Sequence, residues 1–400
     1  KLFSVGRSHT GQAPGAMPAT VQELIVSLGR KDMDPRRRAE AAVELGKFGP
    51  AAEKAVPALA KALSEEDYGL RCGAAEALGR VGEAAAPAVP ELMRALGDEL
   101  TVVRCAAAIA LGHLGTKAEE AVPLLAKAMS DEAMLVRHMA IEALSRLGPT
   151  AAAAVDEVAE AVRHEKDDAI RTKAGWTLYS IGARAVPALT ELMRDEGEES
   201  LRRDAINTLG GIGKPSEVAV PDLREVCRVD ASPLLHAMAL QAMGRIGPAA
   251  VEAGLPELRA ALEHAHHGVR CQAAIALGMI GPDVAKAAVP GLTKALKDEN
   301  HEVRAGAAGA LGSLGSAAAP AMPALCEALR DPISPVRATA ANACGRLGPG
   351  VASAAIPLIM EMLHDKEEWM HGIAREALDR LRGRAWRWYM YCKDSSCSVL

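Results

Sequence analysis

Hydrophobic and polar positions along this chain follow two nested periods. Locally, apolar residues recur at the three- and four-residue spacing of a helix with one buried face. The whole pattern R-x-x-A-A-x-x-L-G-x-x-G then returns every 31 to 34 residues, anchored at Arg38, Arg71, Arg104, Arg137, Arg171, Arg202, His236, Arg270, Arg304, Arg337 and His371. Ten residues after each anchor stands an apolar residue, from Phe48 and Val81 through to Leu381. The glycine that usually follows it supplies a helix stop. A second helical segment, V-P-x-L in most copies, places proline 14 or 15 residues before the next anchor, as at Pro57, Pro90, Pro123 and Pro187. Proline suits the first helical turn, where an N–H would have no partner anyway. Each copy therefore reads as helix A, short turn, helix B and glycine stop. Eleven copies predict 22 repeat helices and no sheet.

One such helix pair cannot bury its own apolar stripe, so neighbouring pairs must stack. Half of the 400 residues are apolar, yet only 2 Phe, 4 Tyr and 4 Trp are present, so the core is built from Ala, Leu, Val and Ile. A net charge of −5 with no general basic field speaks against nucleic acid as a partner. No uncharged apolar run reaches membrane-spanning length. The eight cysteines form no C-x-x-C pair, which argues against a zinc knuckle and for a reducing, cytoplasmic setting.

These units resemble HEAT repeats, in the short Ala- and Gly-rich form also found in phycobilisome-lyase-like proteins. The resemblance covers residues 20–382 and implies an all-α fold, a right-handed α-solenoid of about eleven helix pairs with helices B on the concave face. It also implies a ladder in which the helix-B arginine and an acid from the adjoining turn join neighbouring repeats. An acid stands six residues before the anchor in ten of eleven copies: Asp32, Glu65, Asp98, Asp131, Glu165, Glu196, Asp230, Asp298, Asp331 and Asp365. His264 is the exception. Residues 1–19 read as a disordered or non-native N-terminal segment, and 383–400 as a basic aromatic tail.

Wheeling each helix B at 100° per residue puts positions +1, +5 and +9 after the anchor on the outward side. The +9 row is basic at Lys47, Arg80, Arg146, Arg245, Arg346 and Arg380. Several of these follow a glutamate by four residues, the favoured order for a helical ion pair. Apolar or aromatic residues break the outward rows at Trp176, at Cys271, Ile275 and Met279, and at Cys105 and Ile109 beside His113. With the polar Asn207, Gln241 and Arg245 of the same rows, Trp176, Ile109, His113, Cys271, Ile275 and Met279 are the candidate partner contacts. The irregular middle copies, where Asp156 replaces proline and His236 replaces arginine, suggest a bend.

Signatures of catalysis are scarce. Deoxyhypusine hydroxylase, a HEAT-like enzyme, holds iron through His-Glu dipeptides directly after the helix-B arginine. Here His164-Glu165 and His301-Glu302 precede the anchor instead, and the run from Glu263 to His267 reads as a solvated turn. No phosphate loop or nucleophile elbow appears, and no cofactor is expected. The tail ends Cys397-Ser-Val-Leu400, which fits a prenylation box. Cys392 and the arginines and aromatics before it offer a second membrane signal. The sequence thus predicts a non-catalytic protein-binding scaffold, cytoplasmic and tethered to a membrane surface by its C-terminus. The alternative is a bilin-lyase-like or metal-dependent enzyme acting on a protein substrate.

Overall fold

The structure, a computed structural model, describes residues 20–195, 197–280 and 285–382, all of them helical or in turns with no strand. Eleven A/B pairs appear in chain order, for example Val56–Ala62 with Tyr68–Val81, Val89–Ala95 with Thr101–Leu114, and Val122–Ala128 with Met134–Leu147. Two further short helices, Pro248–Ala253 and Pro349–Ala352, sit between repeats. The described residues divide into two compact units. One runs up to Ala161 and adds Lys166–Ser180; the other comprises Val162–Glu165 and the chain from Ile181 onward.

Many A helices hold only seven residues, too few to persist in water on their own. Packing holds them. Val89, Leu92, Val103, Ala107, Leu111 and Leu114 of one repeat are fully buried. At the end of helix B the chain turns through a glycine with positive φ, 56° at Gly115 and 57° at Gly148. The turn expected between helices B and A is wound as a 3-10 segment, such as Gly115–Ala121. That tighter coil brings Ala118 and Ala121 into the core with no exposed area.

Consecutive repeats are joined by the predicted ladder. Arg104 donates Nε and Nη2 to Asp131 of the next repeat, both at 2.8 Å, and Nη1 to the carbonyls of Asp98 and Glu99 in its own turn. Asp131 in turn accepts from the Ala133 N–H at 2.8 Å, which fixes the turn leading into the following helix B. The same rung joins Arg38 to Glu65, Arg71 to Asp98, Arg202 to Asp230, Arg270 to Asp298, Arg304 to Asp331 and Arg337 to Asp365. Burial alone raises the Asp131 carboxyl, but Arg104 and the Ala133 N–H outweigh it and hold the group below its ordinary range. Asp32, in the first repeat, pairs with Arg30 instead, and Glu196 lies outside the described residues.

A second contact sets the spacing of the B helices. The glycine eight residues after the anchor meets the alanine six residues after the next one. A methyl placed on Gly112 would lie 2.9 Å from Ala143 Cα, and one on Gly79 equally close to Ala110 Cα. Gly175, inside helix Asp168–Ile181, has no such neighbour within 4 Å.

Among the described residues the ladder is interrupted at His236. His236 stands where an arginine is expected, and the position of its acid is His264. The rings lie 5.1 Å apart at 72°. His236 is 8% exposed and its Nε2 has no hydrogen-bond partner. Burial lowers the His236 pKa, the nearby His264 lowers it further, and Asp230 opposes both.

Two outcomes are expected. Gly112→Ala should destabilise by about 1–3 kcal/mol, because overpacking against Ala143 outweighs alanine's better helix propensity. Gly175→Ala should stabilise by about 0.5–1 kcal/mol. Urea unfolding of the two variants checks both signs. For His236, an unfolded histidine titrates near ~6.5 and burial holds the folded value lower. The unfolded state therefore takes up the proton first, so stability present above about pH 6.5 is lost as pH falls. The double variant His236→Arg with His264→Asp should abolish this loss between pH 7 and pH 5.5. It should also raise melting by roughly 2–4 °C, a gain of about 1 kcal/mol. An unchanged pH profile would contradict the assignment.

Candidate functional site

The outward side of the B helices carries the candidate contacts. In the first unit Trp176 is 61% exposed, and its ring meets that of Tyr179 edge-on, with centroids 6.0 Å apart and planes at 88°. Tyr179 is itself 44% exposed. An edge-to-face pair of this kind is pre-ordered, so a partner that covers it freezes few rotors. Ile109 is half-buried and His113 exposed in the same unit.

In the second unit Ile275 and Met279 are both exposed and Cys271 is half-buried beside them. Asn207 accepts a hydrogen bond from Arg245 Nη1 at 3.1 Å, which ties together the outward residues of successive repeats; Gln241 lies half-buried near them. Cys105, expected on the outward face, is buried. The +1 position faces the following repeat: at the equivalent place Cys271 Sγ lies 3.6 Å from the Glu302 carbonyl.

The first unit also holds an open groove of about 950 Å³ across the C-terminal ends of four B helices. Lys47, Arg80, His113 and Arg146 line it, and glycines complete the lining. Arg80 bonds Glu76 at 2.6 Å and Arg146 bonds Glu142 at 3.1 Å, each one helical turn back. Burial lowers the His113 pKa first, then the charge of Arg146; Arg80 acts in the same direction, against the Gly79 carbonyl and Glu142.

Activated nucleophiles are not found among the described thiols. Burial pushes Cys72 and Cys105 up to about 11, and Cys227 and Cys344 up to about 12. All four are free and protonated at neutral pH. Among the described residues no group of three or more His, Cys, Asp or Glu is placed to hold a metal ion, and no single helix is long and apolar enough to cross a membrane. Cys392 and Cys397 lie outside the described residues.

A family model described as HEAT repeats matches residues 21–100, 89–179, 155–233, 220–289 and 289–379. The chain belongs to the HEAT-repeat family. The match does not single out the phycobilisome-lyase-like kind. Curated proteins give no match. Among solved structures, Kap121p is similar at 14% identity and TM-score 0.61, over 91% of this chain and 46% of that one, and so is Kap121p bound to Nup53p. Kap95p, solved with RanGDP, is similar at 14% identity and TM-score 0.57, over 90% of this chain and 56% of that one. The chain spans about half the length of these structures, and at such identity the likeness shows the fold.

Within the HEAT frame, two features escaped the sequence reading. Tyr179 takes the +8 position that glycine holds in most repeats, and that substitution was the available signal. The +9 side chains also have a packing role: the Arg80 and Arg146 stems cover Gly46 and Gly112, and Met279 Sδ covers Gly244 in the same way. A further exposed apolar row, Tyr68, Val102, Met134 and Leu135, marks the N-terminal ends of three B helices.

Proposed function

We propose that this HEAT-repeat chain is a non-catalytic scaffold that binds a protein partner along the outward face of its B helices. The exposed Trp176–Tyr179 pair carries the reading, since tryptophan and tyrosine are the side chains most enriched at the energetic centres of protein interfaces. Cys271, Ile275 and Met279 form a second apolar contact, Ile109 and His113 a third, and Asn207, Gln241 and Arg245 supply a polar stretch. The structures it resembles in fold include Kap121p bound to Nup53p and to Pho4p, which supports a protein as the ligand. For the metal-dependent alternative, no cluster of three or more His, Cys, Asp or Glu is placed to hold a metal ion among the described residues. The membrane tether through Cys397 and Cys392 rests on the sequence alone.

Affinity purification followed by titration of the recovered partner tests the reading. Trp176→Ala should weaken binding by about 2 kcal/mol, roughly thirtyfold. Melting should stay unchanged, because the ring contributes little to the core. A lowered melting temperature with intact binding would assign Trp176 to packing.

A further inference from the structure

We propose that the groove across the first four B helices docks an extended acidic peptide segment, with carboxylate side chains about three residues apart. This deepens the scaffold reading by giving the chemistry of one partner segment.

Three observations carry it. First, the groove is lined by Lys47, Arg80, His113, Arg146 and glycines, with Glu44, Glu76 and Glu142 set behind Lys47, Arg80 and Arg146 as their ion-pair partners. Gly46, Gly79 and Gly112 are buried in the seams beneath the stems of Arg80, His113 and Arg146, so the groups presented to a ligand are the side chains of the +9 row. Second, the basic groups recur once per repeat. Packed helices lie about 8–10 Å apart, and a polyproline II segment has three residues per turn and advances about 3.1 Å per residue, or about 9 Å in three. Every third side chain of a segment extended in this way therefore stays on one face and meets a new basic group. Third, His113 stands between Arg80 and Arg146 in the lining, and its partial burial, then the charges of Arg146 and Arg80, disfavour its proton. A carboxylate bound beside it would favour that proton and add to the positive charge of the groove.

Two effects oppose docking, and both are small. Arg80 and Arg146 are held by Glu76 and Glu142, but exposed pairs of this kind are worth under about 1 kcal/mol and exchange readily. The C-terminal ends of the helices present partial negative charge, which the basic row already offsets. The chain's net charge of −5 works against a long polyanion such as nucleic acid more than against a short peptide.

The test is fluorescence anisotropy of a fluorescein-labelled (Glu-Gly-Ser)4 peptide titrated with the full chain at low salt. Saturable binding is expected, weakened roughly tenfold or more in Arg80→Gln/Arg146→Gln and by raising the salt. Circular dichroism of that variant should match the wild type, since neither arginine is part of the ladder and glutamine keeps the Cβ–Cδ stem that covers Gly46 and Gly112. Affinity should rise about threefold from pH 7.5 to pH 6.0, and this rise should vanish in His113→Gln. Trp176→Ala should bind the peptide like the wild type. No saturable binding, equal binding by the arginine variant, or equal binding of a (Lys-Gly-Ser)4 peptide would overturn the proposal. Tighter binding of an oligothymidylate with the same number of charges would assign the groove to nucleic acid instead. If the peptide fails while Trp176→Ala still weakens the captured partner, this inference falls and the scaffold reading stands.

Discussion

The arginine that opens each repeat pattern is the contact on which the stack depends. Burial of alanine and leucine supplies most of the stabilisation, but apolar contact is not directional and these side chains are small and alike. Sliding one helix pair along the next would lose little of it. Arg104 fixes the register because its fork reaches three places at once: the turn of its own repeat through the Asp98 and Glu99 carbonyls, and the next turn through Asp131. Asp131 passes the constraint on by holding the Ala133 N–H in the turn that enters the next helix B. A guanidinium suits this role and an ammonium would not, since the geometry calls for several donors in one plane.

Once the register is set, the glycine–alanine contact decides how near the B helices come. With Gly112 against Ala143, backbone meets backbone, and the side chains one position further on must lie over the seam. Long stems with polar heads meet this need at Arg80 and Arg146, so that the same side chains both shield the packing and line a groove. Repeat 5 departs from this rule. Tyr179 in place of glycine leaves a large ring outside the seam, where it meets Trp176. The surface best suited to a partner thus arises where the packing rule is relaxed.

Much of this was legible in the sequence. The anchors, the prolines and the glycine stops gave the repeat and its helix pairs, because each is a strong local signal, while the ladder came with the resemblance to HEAT repeats that the acid row supports. Exposure at Trp176, Ile275 and Met279 also followed from the helical wheel. Cys105 did not, because a wheel treats a helix as isolated and ignores the next repeat, against which the +1 position packs. The 3-10 winding before helix A was hidden for a related reason: it depends on Ala118 and Ala121 finding a core that only stacking creates. The groove was not visible either. Its basic residues stand 33 residues apart in sequence and look like ordinary ion-paired helix surfaces until the repeats bring them side by side.

The claim that the arginine rung couples neighbouring repeats can be measured directly at Arg104 and Asp131. In a double-mutant cycle followed by urea unfolding, Arg104→Met and Asp131→Leu should each cost about 3 kcal/mol, because each leaves a buried charge without its partner. The double variant should cost far less than the sum, giving a coupling of about 2 kcal/mol or more. Small losses that add to within about 0.5 kcal/mol would contradict the account and leave apolar packing alone to hold the register.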